Sequence, residues 1–503
     1  MRTRTAAATA AAAVAALGMT TVAGAPAQAQ NPNNSKKMTK AVTVENVHDH
    51  LENLQAIADA NDGNRGAGTP GYEASAEYVE ETLQDAGYET ERQEFTFTYE
   101  EVNTTSLTEV SPEAREVENA PMSYSQPTPA GGVTGELAAP ATATGCDAGA
   151  YAGADLTGQI ALVSRGDCSF AAKAVAAGEA GAGAVLVYNN TTGALNGTLG
   201  GLEPTSAPAS GLTQAEGQSL LEKMAAGPVT MTFVLDKTLE ERETFNVTAE
   251  TETGRDDNVV MLGAHLDSIG DGPGINDNGS GTAGILETAV QLGKVNKLNN
   301  KVRFAFWGAE ELGLLGSDHY VADLQENDPD ELDNIATYLN FDMIGSPNYV
   351  IGVYDADEST YEAPVEVPAG SVATESVLTD YFDGSDQPWV DTAFSGRSDY
   401  SAFINAGVPA SGLFTGADGT KTAEEAEVFG GTAGITYDPN YHTPQDDLSN
   451  IDTTALGIMS DAIAHSAITL GQSTKDINGK TSRGKSGIPG PTVPVAPEGV
   501  DAA

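Results

Sequence analysis

Apolar residues return at helical spacing along residues 44–60, at Val44, Val47, Leu51, Leu54 and Ile57, and a second run of this kind covers 72–86 ahead of Gly87. Two surface helices are therefore predicted, joined by a Gly-rich loop over 62–70, and the alternation over 94–99 predicts a strand. Near residue 128 the composition turns to Gly and Ala. From there to about residue 228 the pattern predicts a separate unit, with buried strands at 159–163 and 184–188 on either side of an Ala-rich helix over 169–181. Beyond residue 239 apolar strand, loop and helix alternate: strands at 259–264, 302–307, 336–341 and 408–414, with helices such as 282–292 between them. That alternation argues an α/β fold, a mixed β-sheet with helices on both faces. After Leu470 the chain is Gly-, Pro-, Ser- and Lys-rich without periodicity, the pattern of a flexible tail.

A chain of 503 residues exceeds the size at which one core stops growing, so at least two domains are expected. Arg2 and Arg4 precede an Ala/Val/Leu-rich run over 6–22, and Ala27 and Ala29 form an A-x-A cleavage pattern, which together read as a signal peptide over 1–29. No later stretch reaches the roughly 18–20 unbroken apolar residues of a spanning helix. The mature protein is thus expected to be secreted, extracellular and free of the membrane. Its 72 acidic against 24 basic residues, a formal charge of −48, exclude nucleic acid and anionic lipid as partners, because their phosphates would be repelled. Cys146 and Cys168 are the only cysteines, and in an exported chain they predict one disulfide, a staple contributing about 3 kcal/mol in the chain-entropy view. Two cysteines cannot build a thiolate zinc site, so any metal must be held by His and carboxylates.

Those side chains fall at the ends of the predicted strands. His265 and Asp267 follow one strand, Glu310 and Glu311 the next, and Asp342 a third. In an open α/β sheet ligands bind outside the carboxyl ends of the strands, so these residues should converge on one cleft. A polar, Gly-rich turn at the start of a helix adds Asp277, and a loop adds Tyr441 and His442. Two imidazoles with several carboxylates suit zinc better than magnesium. One carboxylate able to bridge would hold two ions roughly 3.5–4 Å apart, the spacing of two-metal hydrolases. His48, His50, His319 and His465 lie outside these motifs and are read as surface residues. Taken singly, H-x-D, E-E and F-D are weak signals; their order and strand-end placement give them weight.

These motifs, with the segment Asn64-Arg-Gly-Ala-Gly-Thr-Pro-Gly71, resemble metallopeptidase family twenty-eight, the two-zinc aminopeptidases of leucine-aminopeptidase and aminopeptidase Y type, over about residues 42–470. The segment from Gly158 to Phe170 and the strand that follows resemble a protease-associated (PA) domain. The resemblance implies a smaller PA domain over 128–236, set between an N-terminal part of the peptidase domain over 40–127 and its remainder over 237–470, with the tail over 471–503. It further implies that His265, Asp277 and Asp342 hold one Zn²⁺ while Asp277, Glu311 and His442 hold the other. Glu310 is then the general base, Tyr441 the oxyanion donor, Asp267 the carboxylate orienting His265, and Arg397 a lining residue of the substrate pocket. Asn440 departs from related enzymes that have a Cys before the Tyr-His pair, so a loop disulfide is missing there. The expected activity is removal of N-terminal residues, large and apolar ones such as leucine, from peptides by a monomer; an accessory Ca²⁺ is left open. The rival readings are a carboxypeptidase of the same superfamily, disfavoured by the lack of an arginine patch, and a receptor-like binding protein, disfavoured by the intact ligands.

Overall fold

Strand Arg255–His265 enters the protein polar and becomes wholly buried from Asn258 onward, and the main sheet is built outwards from it. It pairs in parallel with Asn300–Trp307 on one side and Ile335–Phe341 on the other. Ile335–Phe341 pairs in parallel with Ala410–Phe414, which runs antiparallel to Gly352–Tyr354. The far end of strand Thr230–Glu250 lies antiparallel to Asn300–Trp307, so the sheet is mixed. The computed structural model describes residues 33–151 and 154–480; the signal peptide expected over 1–29 and the tail beyond residue 480 lie outside the described residues.

The period-two geometry of a strand explains why these central segments read as unbroken apolar runs. Val260, Leu262, Phe304, Phe306, Leu339 and Phe341 point into one core, beneath helices Val44–Ala60, Pro70–Asp85, Gly281–Leu292 and Thr453–Gln472. Their neighbours Met261, Ala305, Trp307 and Tyr338 point into a second core with Tyr320 and Phe403. Thr43 and Thr69 cap the first two of those helices by accepting from the N–H groups of Asn46 and Tyr72, and Pro70 occupies the first turn where a missing N–H costs nothing.

Of the histidines read as surface residues, one is buried and another is half-buried. His50 is buried: its Nδ1 lies 2.6 Å from the Tyr78 hydroxyl, and its Nε2 faces Glu287 at 3.4 Å. Helical spacing locates a face without saying that a polar residue on it has found partners. His465 is half-buried, its Nδ1 2.7 Å from Ser35 Oγ and its ring stacked on Tyr381. Burial pushes this imidazole down to about 4. Its neutral form is thus favoured in the fold, and stability should be intact above the unfolded value of about 6.5 and decline as pH falls from there to about 4. Thermal unfolding across that window should show a loss of order 1–3 kcal/mol that His465→Phe removes. An unchanged pH profile in the variant would discount the effect.

The chain after Leu470 is structured further than its composition suggests. Helix Thr453–Gln472 passes that point and helix Lys475–Asn478 follows. Thr474 and Asn478 exchange hydrogen bonds with the buried Asn258, so the anchoring is by side chains and carries no hydrophobic period.

Residues Glu94–Thr244 form a second compact unit, which the chain enters along the long strand Thr90–Ser111 and leaves along Thr230–Glu250. Within it Val133–Ala138, Ile160–Ser164, Ala184–Tyr188 and Ala209–Leu212 pair in parallel in that order. Val163, Val185 and Val187 face one core and Leu162 and Leu186 the other. Cys146 and Cys168 are disulfide-bonded, and beside them the buried Lys173 donates to the carbonyls of Thr144 and Gly166.

Candidate active site

His265 is the last residue of its strand, Glu310 and Glu311 lie just past the end of Asn300–Trp307, and Asp342 follows Ile335–Phe341 directly. Parallel pairing in register brings these strand ends together at one edge of the sheet. Asp277 sits in the turn ahead of helix Gly281–Leu292, and His442 in a loop. Ala309, Met343 and His442 have φ of 58°, 52° and 56°, a left-handed backbone that costs energy in residues with a Cβ and is retained where the surroundings hold it.

Asp277 is the centre of the arrangement. Its Oδ1 lies 3.2 Å from His265 Nε2 and its Oδ2 3.2 Å from His442 Nε2. Ligand atoms of His265, Asp277 and Asp342 all fall within 4.8 Å of one another, and so do those of Asp277, Glu311 and His442. His265 Nε2, Asp342 Oδ1 and Glu311 Oε1 are buried with no hydrogen-bond partner. Buried polar atoms left unpaired are costly, and cations held by the two groups would satisfy all three, so these residues fit a metal centre of imidazole nitrogen and carboxylate oxygen. A third acidic group, Asp355, Asp357 and Glu375, differs: Asp355 accepts from the N–H groups of Ser359, Thr360 and Tyr361, and Glu375 from those of Ala356 and Asp357. Those carboxylates clamp a loop and have their hydrogen bonds without an ion.

The electrostatics follow from crowding acids and imidazoles in a buried space. Burial opposes charge on His442, but Asp277 and Glu311 more than offset it and hold the imidazole up at about 10. Burial raises Glu311 to about 7, with Asp277 adding to the effect. Burial also holds Glu310 well above the usual carboxylate range, His265 opposing and Asp399 and Asp342 reinforcing the shift. Burial raises the Tyr441 phenol, Asp277 and Glu311 adding to it, so its hydroxyl stays protonated.

Asp267 meets the His265 ring from the side of Nδ1. The nearest acceptor to His265 Nδ1 is the Asp267 backbone carbonyl at 3.0 Å; the carboxylate Oδ1, at 3.6 Å, is beyond hydrogen-bond range. That carboxylate accepts instead from the N–H groups of Glu310 and Glu311, fixing the loop from which the two glutamates diverge. Arg397 lies at the rim, its side chain 59 % exposed, paired with Asp418 at 3.1 Å and donating to the Tyr441 hydroxyl at 3.3 Å. The loop around Asn440 is held without a disulfide. Asn440 donates to Asn450, which donates to Asp438 and Asp446, and Asp446 in turn accepts from the N–H groups of Asn276 and Asp277. Neither Asp446 nor Asp399, a buried carboxylate with both oxygens unpartnered, stands out in sequence, since each is one acid among 72.

Beside the cluster opens a cavity of about 310 Å³. Asp277, Glu310, Asp342 and Tyr441 line one part of it, while Met343, Val350, Tyr354, Val390 and Phe414 line another.

Residues 246–467 match the family described as Peptidase family M28, and residues 133–220 match the PA domain. A probable leucine aminopeptidase 2 of Trichophyton verrucosum is 43 % identical over 440 residues, covering 87 % of this chain and 86 % of the relative. The chain belongs to peptidase family M28. A second relative, a probable lipoprotein aminopeptidase of Mycobacterium tuberculosis, is 45 % identical over 86 % of this chain and 85 % of its own. Among solved structures, a zinc aminopeptidase from Bacillus subtilis superposes with a TM-score of 0.58 at 26 % identity, over 86 % of this chain and 96 % of that one. The expected fold class, an α/β sheet flanked by helices with a PA domain within the chain, agrees with these M28 comparisons.

Proposed function

We propose that this M28 metalloaminopeptidase holds two zinc ions, one by His265, Asp277 and Asp342 and the other by Asp277, Glu311 and His442, and frees large apolar residues such as leucine from the N-termini of peptides. The observation that carries the reading is that Asp277 turns one carboxylate oxygen to each imidazole. Two cations so held supply Lewis acidity at the scissile carbonyl and make a nearby water easier to deprotonate.

The chain's own residues account for the rest. Glu310 belongs to neither three-residue group, and burial gives its carboxylate a raised affinity for protons, so this side chain is suited to take a proton from the attacking water and deliver it to the leaving amine. Tyr441, kept protonated, donates to the oxygen on which charge develops. Carboxylates at one wall of the cavity accept the substrate ammonium, and the apolar wall of Val350, Tyr354 and Phe414 takes its side chain. Arg397, paired with Asp418, is left as a rim residue beside Tyr441, and a single ion-paired arginine does not favour capture of a C-terminal carboxylate. An N-terminal signal over 1–29 is consistent with export, and among the described residues no helix is long and apolar enough to cross a membrane.

Free and N-acetylated leucyl chromogenic substrates test the proposal. Only the free form should be cleaved, and a chelator should stop the reaction. Cleavage of the acetylated form would rule out an aminopeptidase, and full activity after exhaustive metal removal would rule out the two-zinc centre.

A further inference from the structure

Arg65 is fully buried, and its guanidinium donates to backbone carbonyls. Nε donates to the Pro273 carbonyl at 2.9 Å, Nη2 to the Gly274 carbonyl at 2.7 Å, and Nη1 to the Leu266 carbonyl. The backbone around it is held as well: Arg65 N donates to Ser268 Oγ at 2.9 Å, and that hydroxyl donates to the Gly272 carbonyl. A guanidinium surrounded by neutral carbonyls has given up its water, which is costly unless the surrounding field is negative. Asp267, Asp446, Asp277 and Glu311 supply that field. Burial still pushes the guanidinium down to about 10, where it remains a cation at neutral pH.

The three carbonyls mark the two ends of one loop. Leu266 follows His265, the last residue of its strand, and Gly274 precedes the turn that carries Asp277. Between them residues 266–274 belong to no helix or strand, so no ladder of the loop's own sets the distance from His265 to Asp277. Gly274 has φ of 59°, and a Cβ there would come within 2.3 Å of the Asp277 carbonyl. Arg65 is itself seated by helix Pro70–Asp85, since a Cβ on Gly71 would lie 2.1 Å from the Asn64 carbonyl. Only a planar fork with several donors can reach three acceptors placed in this way; an ammonium is a point charge on a flexible stem.

We infer that Arg65 is a positioning residue of the metal centre: by stapling the Leu266 carbonyl to those of Pro273 and Gly274 it sets the separation of His265 from Asp277. Both cation sites depend on that separation, because Asp277 is common to them. The inference rests on the two-zinc reading above. It makes the segment around Asn64, distant in sequence from every ligand, a structural part of the centre.

The full chain is tested as wild type, Arg65→Lys and Arg65→Ala. Each is stripped with chelator, melted in the metal-free state, titrated with Zn²⁺ against a chromophoric competitor, and loaded with Co²⁺ for its visible absorption. Both variants should still fold and melt cooperatively without metal, at a lowered temperature because buried carbonyls lose their donor, bind zinc about 10- to 100-fold more weakly, the range expected when a group supporting the ligands is lost, and show altered cobalt bands. Methylguanidinium, and not methylammonium, should restore the cobalt bands of Arg65→Ala. Wild-type affinity and wild-type bands in both variants would overturn the inference while leaving the two-zinc reading intact. Metal-free variants that no longer fold would also overturn it, because Arg65 would then be supporting the fold at large. Wild-type protein that takes up no zinc would overturn both.

Discussion

Glu310→Gln is expected to lower kcat by about 10²–10⁴-fold while zinc content stays at the wild-type level. The amide has the shape of the acid but cannot take a proton from water or return it to the departing amine. Glu310 is also not needed to hold a cation. His265 Nε2 is 3.8 Å from its Oε2, and neither of the two groups proposed to hold the ions includes it. Stability should not suffer, since burial and the neighbouring Asp399 and Asp342 already work against a charge at this position. Steady-state kinetics, metal analysis and a melting curve on one preparation separate these effects. A rate within a few-fold of wild type would remove Glu310 from the mechanism, and a fall in zinc content would recast it as a ligand.

Asp277→Ala should be more damaging in a different way: on the two-zinc proposal it takes zinc content towards none and activity to background. Each of its oxygens faces a different imidazole at 3.2 Å, so one substitution removes a ligand from both groups. Both histidines would also lose an acid 3.2 Å from Nε2. His442→Ala, at a side chain that is 41 % exposed, should cost mainly the ion it shares with Glu311 and leave the His265 group able to bind. Equilibrium dialysis followed by elemental analysis distinguishes the two variants. If Asp277→Ala kept one ion at full occupancy, Asp277 would belong to one site only.

The sequence by itself determined a good deal of this. Helical spacing marked residues 44–60, and the structure has helix Val44–Ala60. Largely apolar runs marked the central strands, because a strand covered on both faces buries the side chains that point either way. The strand-end positions of His265, Glu310, Glu311 and Asp342 then followed, since a polar residue directly after such a run has nowhere to sit but the sheet's edge. These signals are local: the period of a helix or strand is written into a few consecutive residues. What only the tertiary structure decided depends on groups that meet from far along the chain. Which oxygen of Asp277 faces which imidazole, the reach of Asp267 to the N–H groups of Glu310 and Glu311, the burial of His50 against Glu287, and the contact of Arg65 with a carbonyl 201 positions away leave no periodic trace. Each is one polar residue finding a partner in three dimensions, and the same residue type on a solvated surface would look no different in the sequence.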